Sequence, residues 1–161
     1  TMSWTHRNVS FNEPVDDETF SFEPPEGAEL KETTTPDMTE FDSVSAANEA
    51  TAYEVVEPDM PDGYTVESIN EVVIDGTSTT SLSYRNGDKG AYYSVSNESV
   101  GSESAAGSDG ESVTIGNTTG TVSSYGETTS VRWSCDGMRY SLSGQLNQST
   151  LVEAASAVGC S

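Results

Sequence analysis

The chain has 161 residues, a length that suits one ordinary domain or a small domain with a piece of another. Its 27 Asp plus Glu against 6 Lys plus Arg give a formal charge of −21. That balance excludes sequence-independent nucleic-acid binding, which needs clustered cations against phosphate, and disfavours anionic membrane surfaces; no run of about 18 apolar residues predicts a membrane span.

Acids occur from Glu13 to Glu153 and are interleaved with Val, Tyr, Ile and Trp, so the charge is not one acidic tail. The pattern predicts a folded domain with an acidic skin that binds inorganic cations loosely. Such a skin repels itself, and salt relieves it, because the Debye length falls to roughly 3 Å at 1 M. Sparse Lys (Lys31 and Lys89) with abundant Asp, Glu, Ser, Thr and Gly fits adaptation to high salt; an acidic interaction domain at low salt is the alternative.

Residues 1–30 read as two short strands around NEPVDDE, with Phe20 and Phe22 alternating. Two strands do not stand alone in water, so they need a pairing partner. Residues 31–41 read as a polar linker, and 42–161 as a small domain. Its first helix is expected over 42–52 with Asp42 as N-cap and Phe41, Val44, Ala47 and Thr51 on one face; Pro58 and Pro61 close it.

Strands are expected over 64–74, 79–85, 91–96, 112–115, 121–124, 129–135 and 138–143. Asn86-Gly87 signals a two-residue hairpin that sets Arg85 opposite Asp88 and puts Leu82 and Tyr84 on the face of Ala91, Tyr93 and Val95. The SNESVGSESAAGSDGES stretch reads as a low-complexity mobile loop. Asp136-Gly137 signals a second hairpin, opposing Cys135 to Met138, Trp133 to Tyr140 and Val131 to Leu142, all on a core face. A last helix over 148–158 is capped by Asn147, buries Leu151, Ala155 and Val158, and stops at Gly159. The fold class is α+β: an antiparallel sheet with two helices packed mainly on one face.

Cys135 sits at the turn end of the second hairpin. The last strand runs away from that turn for roughly 20 Å, and the helix returns for roughly 17 Å. Cys160 therefore arrives beside Cys135, and a disulfide would close a loop of about 25 residues worth roughly 3.5 kcal/mol. Such a bond implies an oxidising, extracytoplasmic site; two unpaired buried thiols are the alternative.

Catalytic constellations are missing. The one histidine, His6, lies outside the main domain, so neither a Ser-His-acid nor a Cys-His set can be built there. No zinc spacing, calcium loop or phosphate loop exists, and no cofactor is implied. A carboxylate pair could hydrolyse a glycosidic bond, but with 27 acids such pairs arise by chance. Asn8, Asn97, Asn117 and Asn147 stand in glycosylation sequons; Asn97 is the foremost candidate, and Asn147 is better explained as a helix cap. Tyr92, Tyr93, Trp133 and Tyr140 could line a ligand groove, or form core and cross-strand pairs.

Two segments carry resemblances. VSFNEPVDDETFSFEPPEGAEL resembles the C-terminal end of lipoprotein-carrier-like (LolA-type) half-barrel domains. The later P..PDGY, Y.NG hairpin, W…G..Y.L.G strand pair and closing helix resemble a small domain of unknown function in surface proteins, and the C-terminal domain of MucB/RseB regulators, which follows a carrier-like domain in the same order. The resemblance implies that residues 1–30 are strands left from a truncated carrier-like half-barrel. With the composition, it fits a haloarchaeal cell-surface lipoprotein anchored outside this segment. The function expected is a noncatalytic binding or regulatory module on the extracellular face of the membrane, contacting a lipid-carrying or protein partner. A structural envelope domain without a specific ligand is the alternative, and a carboxylate-dependent hydrolase the third reading.

Overall fold

A computed structural model describes residues 3–5, 35–97 and 110–159. The chain divides into two compact units, Thr1–Thr33 and Thr34–Ser161. The strands expected in residues 1–30, and most of the expected mobile loop, lie outside the described residues.

The second unit is α+β. Eight strands form one antiparallel sheet: β1 (Asp37–Phe41), β2 (Thr65–Ile74), β3 (Thr77–Asn86), β4 (Lys89–Ser96), β5 (Glu111–Ile115), β6 (Thr118–Tyr125), β7 (Thr128–Cys135) and β8 (Met138–Gly144). Two helices accompany them, α1 (Val44–Ala50) and α2 (Gln148–Val158). The strand order is β1-β2-β3-β4-β8-β7-β6-β5, so two four-stranded meanders meet where β4 pairs with β8.

Two-residue turns connect β2–β3, β3–β4, β5–β6, β6–β7 and β7–β8. Asp75-Gly76 and Asp136-Gly137 have positive φ at both positions, as a type I′ turn requires. In Gly87-Asp88, Gly116-Asn117 and Gly126-Glu127 only the glycine is positive, the pattern of a type II′ turn. This corrects the first expected hairpin. The loop is Gly87-Asp88, Asn86 faces Lys89, and Arg85 faces Gly90 rather than Asp88. Because the shift preserves parity, Leu82 and Tyr84 stay on the buried face with Ala91, Tyr93 and Val95 as expected, but their partners move by two residues, to Leu82↔Tyr93 and Tyr84↔Ala91.

The expected linker also needs correction. Asp37–Phe41 is an edge strand paired with β2 from Asp37↔Val73 to Phe41↔Ile69. Only Phe41 packs against the core, and the other four residues are exposed, so the segment carries no alternating apolar signal. The first helix is shorter than expected. Its N-cap is Ser43, whose hydroxyl accepts from Ala46 N at 3.1 Å, and Asp42 lies outside it. Asn147 caps α2 as expected, accepting from Thr150 N at 2.9 Å, and Gly159 follows with φ 63°.

One sheet face carries the core. Ile69, Leu82, Tyr93, Leu142, Val131 and Val122 form a continuous cross-strand row, all buried. α1 contributes Ala47, and α2 contributes Leu151, Ala154, Ala155 and Val158. Each such side chain, fully buried, adds about 1.5–3 kcal/mol for the larger residues. Between α1 and β2 the chain is pinned by side chains. Asn48 Nδ2 donates to Val55 O at 3.1 Å, while Val55 N donates to Asn48 Oδ1 at 2.6 Å. The Tyr53 hydroxyl bonds to the hydroxyls of Ser78 and Thr80, both at 2.9 Å.

Candidate binding surface

The opposite face of the sheet is covered by no helix or strand among the described residues. Alternation puts a second set of rows there. One row reads Asn70, Ser81, Ser94, Ser141, Arg132, Thr121, Ser112 across seven strands. The next reads Ser68, Ser83, Tyr92, Ser143, Ser130, Ser123. This is a field of hydroxyls, and the acidic skin stops at its border. Although 27 of 161 residues are acidic, none falls in β3, β4, β6, β7 or β8. The described acids sit in turns, helices, connecting segments and the strands β1, β2 and β5.

Part of the field is internally bonded. Tyr92 Oη donates to Ser81 Oγ at 2.6 Å, and the Ser94 and Ser141 hydroxyls share a bond of 2.9 Å. Ser83, Ser143, Ser130 and Ser123 keep their hydroxyls for solvent or a ligand, each with one donor and two acceptor lone pairs. Tyr92 is 46% exposed and presents a ring face among them. Arg132 is exposed in the middle of its row. It borders a recess of about 220 Å³ that also involves Thr119, Thr121, Ser134 and Arg139. Arg85 stands on the same face at the far end but is paired with Glu67 at 3.2 Å.

The four aromatics considered for one groove are separated by the sheet. Tyr93 and Trp133 are buried in the core, Tyr140 is half-buried beside them, and Tyr92 alone is on the hydroxyl face. The core aromatics carry an electrostatic burden instead. The hydroxyls of Tyr84 and Tyr93 and the Trp133 Nε1 are buried without a hydrogen-bond partner. Burial pushes the Tyr93 phenol far above its ordinary range, and the neighbouring phenols of Tyr140, Tyr84 and Tyr53 add to it. Burial raises Tyr84 likewise, followed by the nearby Glu57 carboxylate, although the geometry closes no bond between the two. Tyr140 is raised by burial, then by Asp136 and Glu54.

Cys135 is disulfide-bonded. Cys160, the chain's other cysteine, lies outside the described residues, as do Asn8 and His6. Asn97 is exposed, yet its Oδ1 accepts from Ser78 N at 2.8 Å, so this sequon also clamps a strand end. Asn117 is exposed in the turn Gly116-Asn117. Among the described residues no group of three or more His, Cys, Asp or Glu is placed to hold a metal, and no helix is long and apolar enough to cross a membrane.

A family model described as a domain of unknown function (DUF4367) matches residues 54–158. The chain belongs to this family. The match takes in β2–β8 and α2 and brings no activity with it. It bears on neither the carrier-like nor the MucB/RseB resemblance. No curated protein matches the chain.

Proposed function

We propose that the chain is a noncatalytic binding or regulatory module of a surface-anchored extracytoplasmic protein. It meets a protein or lipid-carrying partner through the open hydroxyl face of its sheet. The observation that carries this reading is the acid-free run of five strands in a molecule of charge −21. A face kept only for solvation in such a protein would share the carboxylates found elsewhere on it. A binding face is better served without them, since a carboxylate left unpaired at an interface costs its desolvation.

The disulfide at Cys135 supports the extracytoplasmic placement, because such bonds persist in oxidising compartments. A photo-crosslinking residue at position 92, on the hydroxyl face, tests the reading in the host cell. The expected result is an adduct of defined mass that is missing when the same residue replaces Glu49 on α1. Equal labelling from both positions, or none from position 92, would overturn it.

A further inference from the structure

The two edges of the sheet are built differently. β1 follows Pro36 and carries Asp37 and Glu40, features that discourage another strand from pairing there. β5 has none of these between Ser112 and Ile115 and ends in the β-branched run Val113, Thr114, Ile115. Its ladder partner among the described residues is β6 alone.

The register shows which backbone groups are left over. Ile115↔Thr118 closes a two-residue turn, so it is a hydrogen-bonded pair, and so is Val113↔Gly120. Ser112 and Thr114 occupy the alternate pairs, so their N–H and C=O groups point away from β6, toward the open edge. Both residues are exposed.

Beside this edge lies a recess of about 600 Å³ between β5 and the first turns of α2. Val113 and Val152 supply its apolar walls, with Thr114, Asn147, Gln148 and Ser149 around them. None of these residues is charged. Glu111 at the start of β5 and Glu153 next to Val152 are both exposed.

We propose that β5 and α2 form a docking groove for an extended, basic-flanked peptide segment of a partner protein, which adds to the sheet as a further strand. Ser112 and Thr114 supply the main-chain bonds, as in other strand-addition complexes. Alternate side chains of the peptide point to one face, so an apolar one enters the recess between Val113 and Val152. The uncharged lining accepts that side chain, while Glu111, Glu153 and the overall negative field favour Lys or Arg at the peptide's ends. This groove adjoins the hydroxyl face at Ser112 but uses the main-chain groups of β5 and the Val113–Val152 recess rather than the serine hydroxyls.

Selection of random phage-displayed peptides on the whole chain tests the proposal. Selected sequences should alternate apolar residues and carry basic ends. Thr114→Pro removes one outward N–H without breaking the β6 ladder, so it should weaken a selected synthetic peptide about tenfold or more, and by far more than Thr114→Ala, which keeps that N–H and loses only side-chain contact. N-methylation of the same peptide at alternate residues should abolish binding at one parity and spare the other, a readout that leaves the protein untouched. Ser143→Asp on the hydroxyl face should not change the peptide's affinity. Selection of no peptide, equal binding by Thr114→Pro, or no parity in the N-methyl series would overturn the groove. So would a dimer of the chain lost in Thr114→Pro, since a second copy would then fill the edge.

Discussion

Trp133 and Tyr140 face each other across β7 and β8 and stack, with ring centroids 5.2 Å apart and planes 10° from parallel. The pair belongs to the buried face, and Gly120, opposite Trp133 on β6, leaves the space beside it. Trp133→Ala should cost about 3–5 kcal/mol of stability, as for other large core truncations, measured by urea unfolding. Tyr140→Leu should cost less, because it removes mainly the ring-pair contribution of about 0.5–1.5 kcal/mol. A Cβ at Gly120 would meet Arg132 O at 2.8 Å and Ile115 Cγ1 at 2.9 Å, so Gly120→Ala should lose about 1–3 kcal/mol. Wild-type stability in Trp133→Ala would refute the stack as a core element.

Much of this was legible in the residues. Asp136-Gly137 alone set the Trp133–Tyr140 register, since Asp-Gly allows positive φ at both turn positions. Asn86-Gly87 carries the same signal but is not the turn, because the preference is statistical and Gly87-Asp88 serves as well. The β4–β8 pairing was not legible: Val95 and Tyr140 are neighbours with no turn between them to specify register. Edge strand β1 gives no pattern to read because it buries almost nothing. The hydroxyl face is hidden for a related reason. The absence of acids can be read within each strand, but only the β4–β8 pairing shows that these five strands adjoin and present their alternate residues on one open face.

Tyr93 should be better as phenylalanine. Its buried hydroxyl has no partner, and removing it recovers a desolvation cost of about 1–3 kcal/mol, so Tyr93→Phe should raise the unfolding midpoint. A lowered midpoint would show that the hydroxyl is satisfied.

Alkaline stability follows from the same tyrosines. Tyr84, Tyr93 and Tyr140 titrate above the ordinary phenol value of 10.0 when folded, so below pH 10 both states hold these protons. Above it the unfolded chain releases them first, and stability falls as pH rises toward the folded values. The loss is about 1.4 kcal/mol per pH unit for each phenol still protonated in the fold. Tyr93→Phe should flatten that limb in a pH series of urea titrations. An unchanged limb would mean that Tyr93 ionises normally.

Charge sets a salt response. The unfolding midpoint should rise steeply between dilute and molar KCl, because screening relieves repulsion that the compact state feels more than the expanded one. A flat midpoint would remove the halophilic reading and leave the acids to serve binding.

The disulfide of Cys135 is expected to reach Cys160, closing α2 onto the end of β7. Unreduced protein should show a deficit of about 2 Da, two hydrogens lost per bond, and a peptide linking the two sites; reduction should cost about 2–4 kcal/mol. Free thiols in freshly purified protein would remove the best support for an extracytoplasmic site.

The most direct test of the hydroxyl face as a binding surface is native mass spectrometry of the protein purified from its host membranes, compared with an Arg132→Glu, Ser143→Asp double variant. Both substitutions place carboxylates on the open face, away from the core rows, and circular dichroism should show an unchanged fold. The account predicts a lipid or protein partner of defined mass on the wild type and its loss from the variant. A wild type that carries no partner, or a variant that keeps the same one, would contradict it.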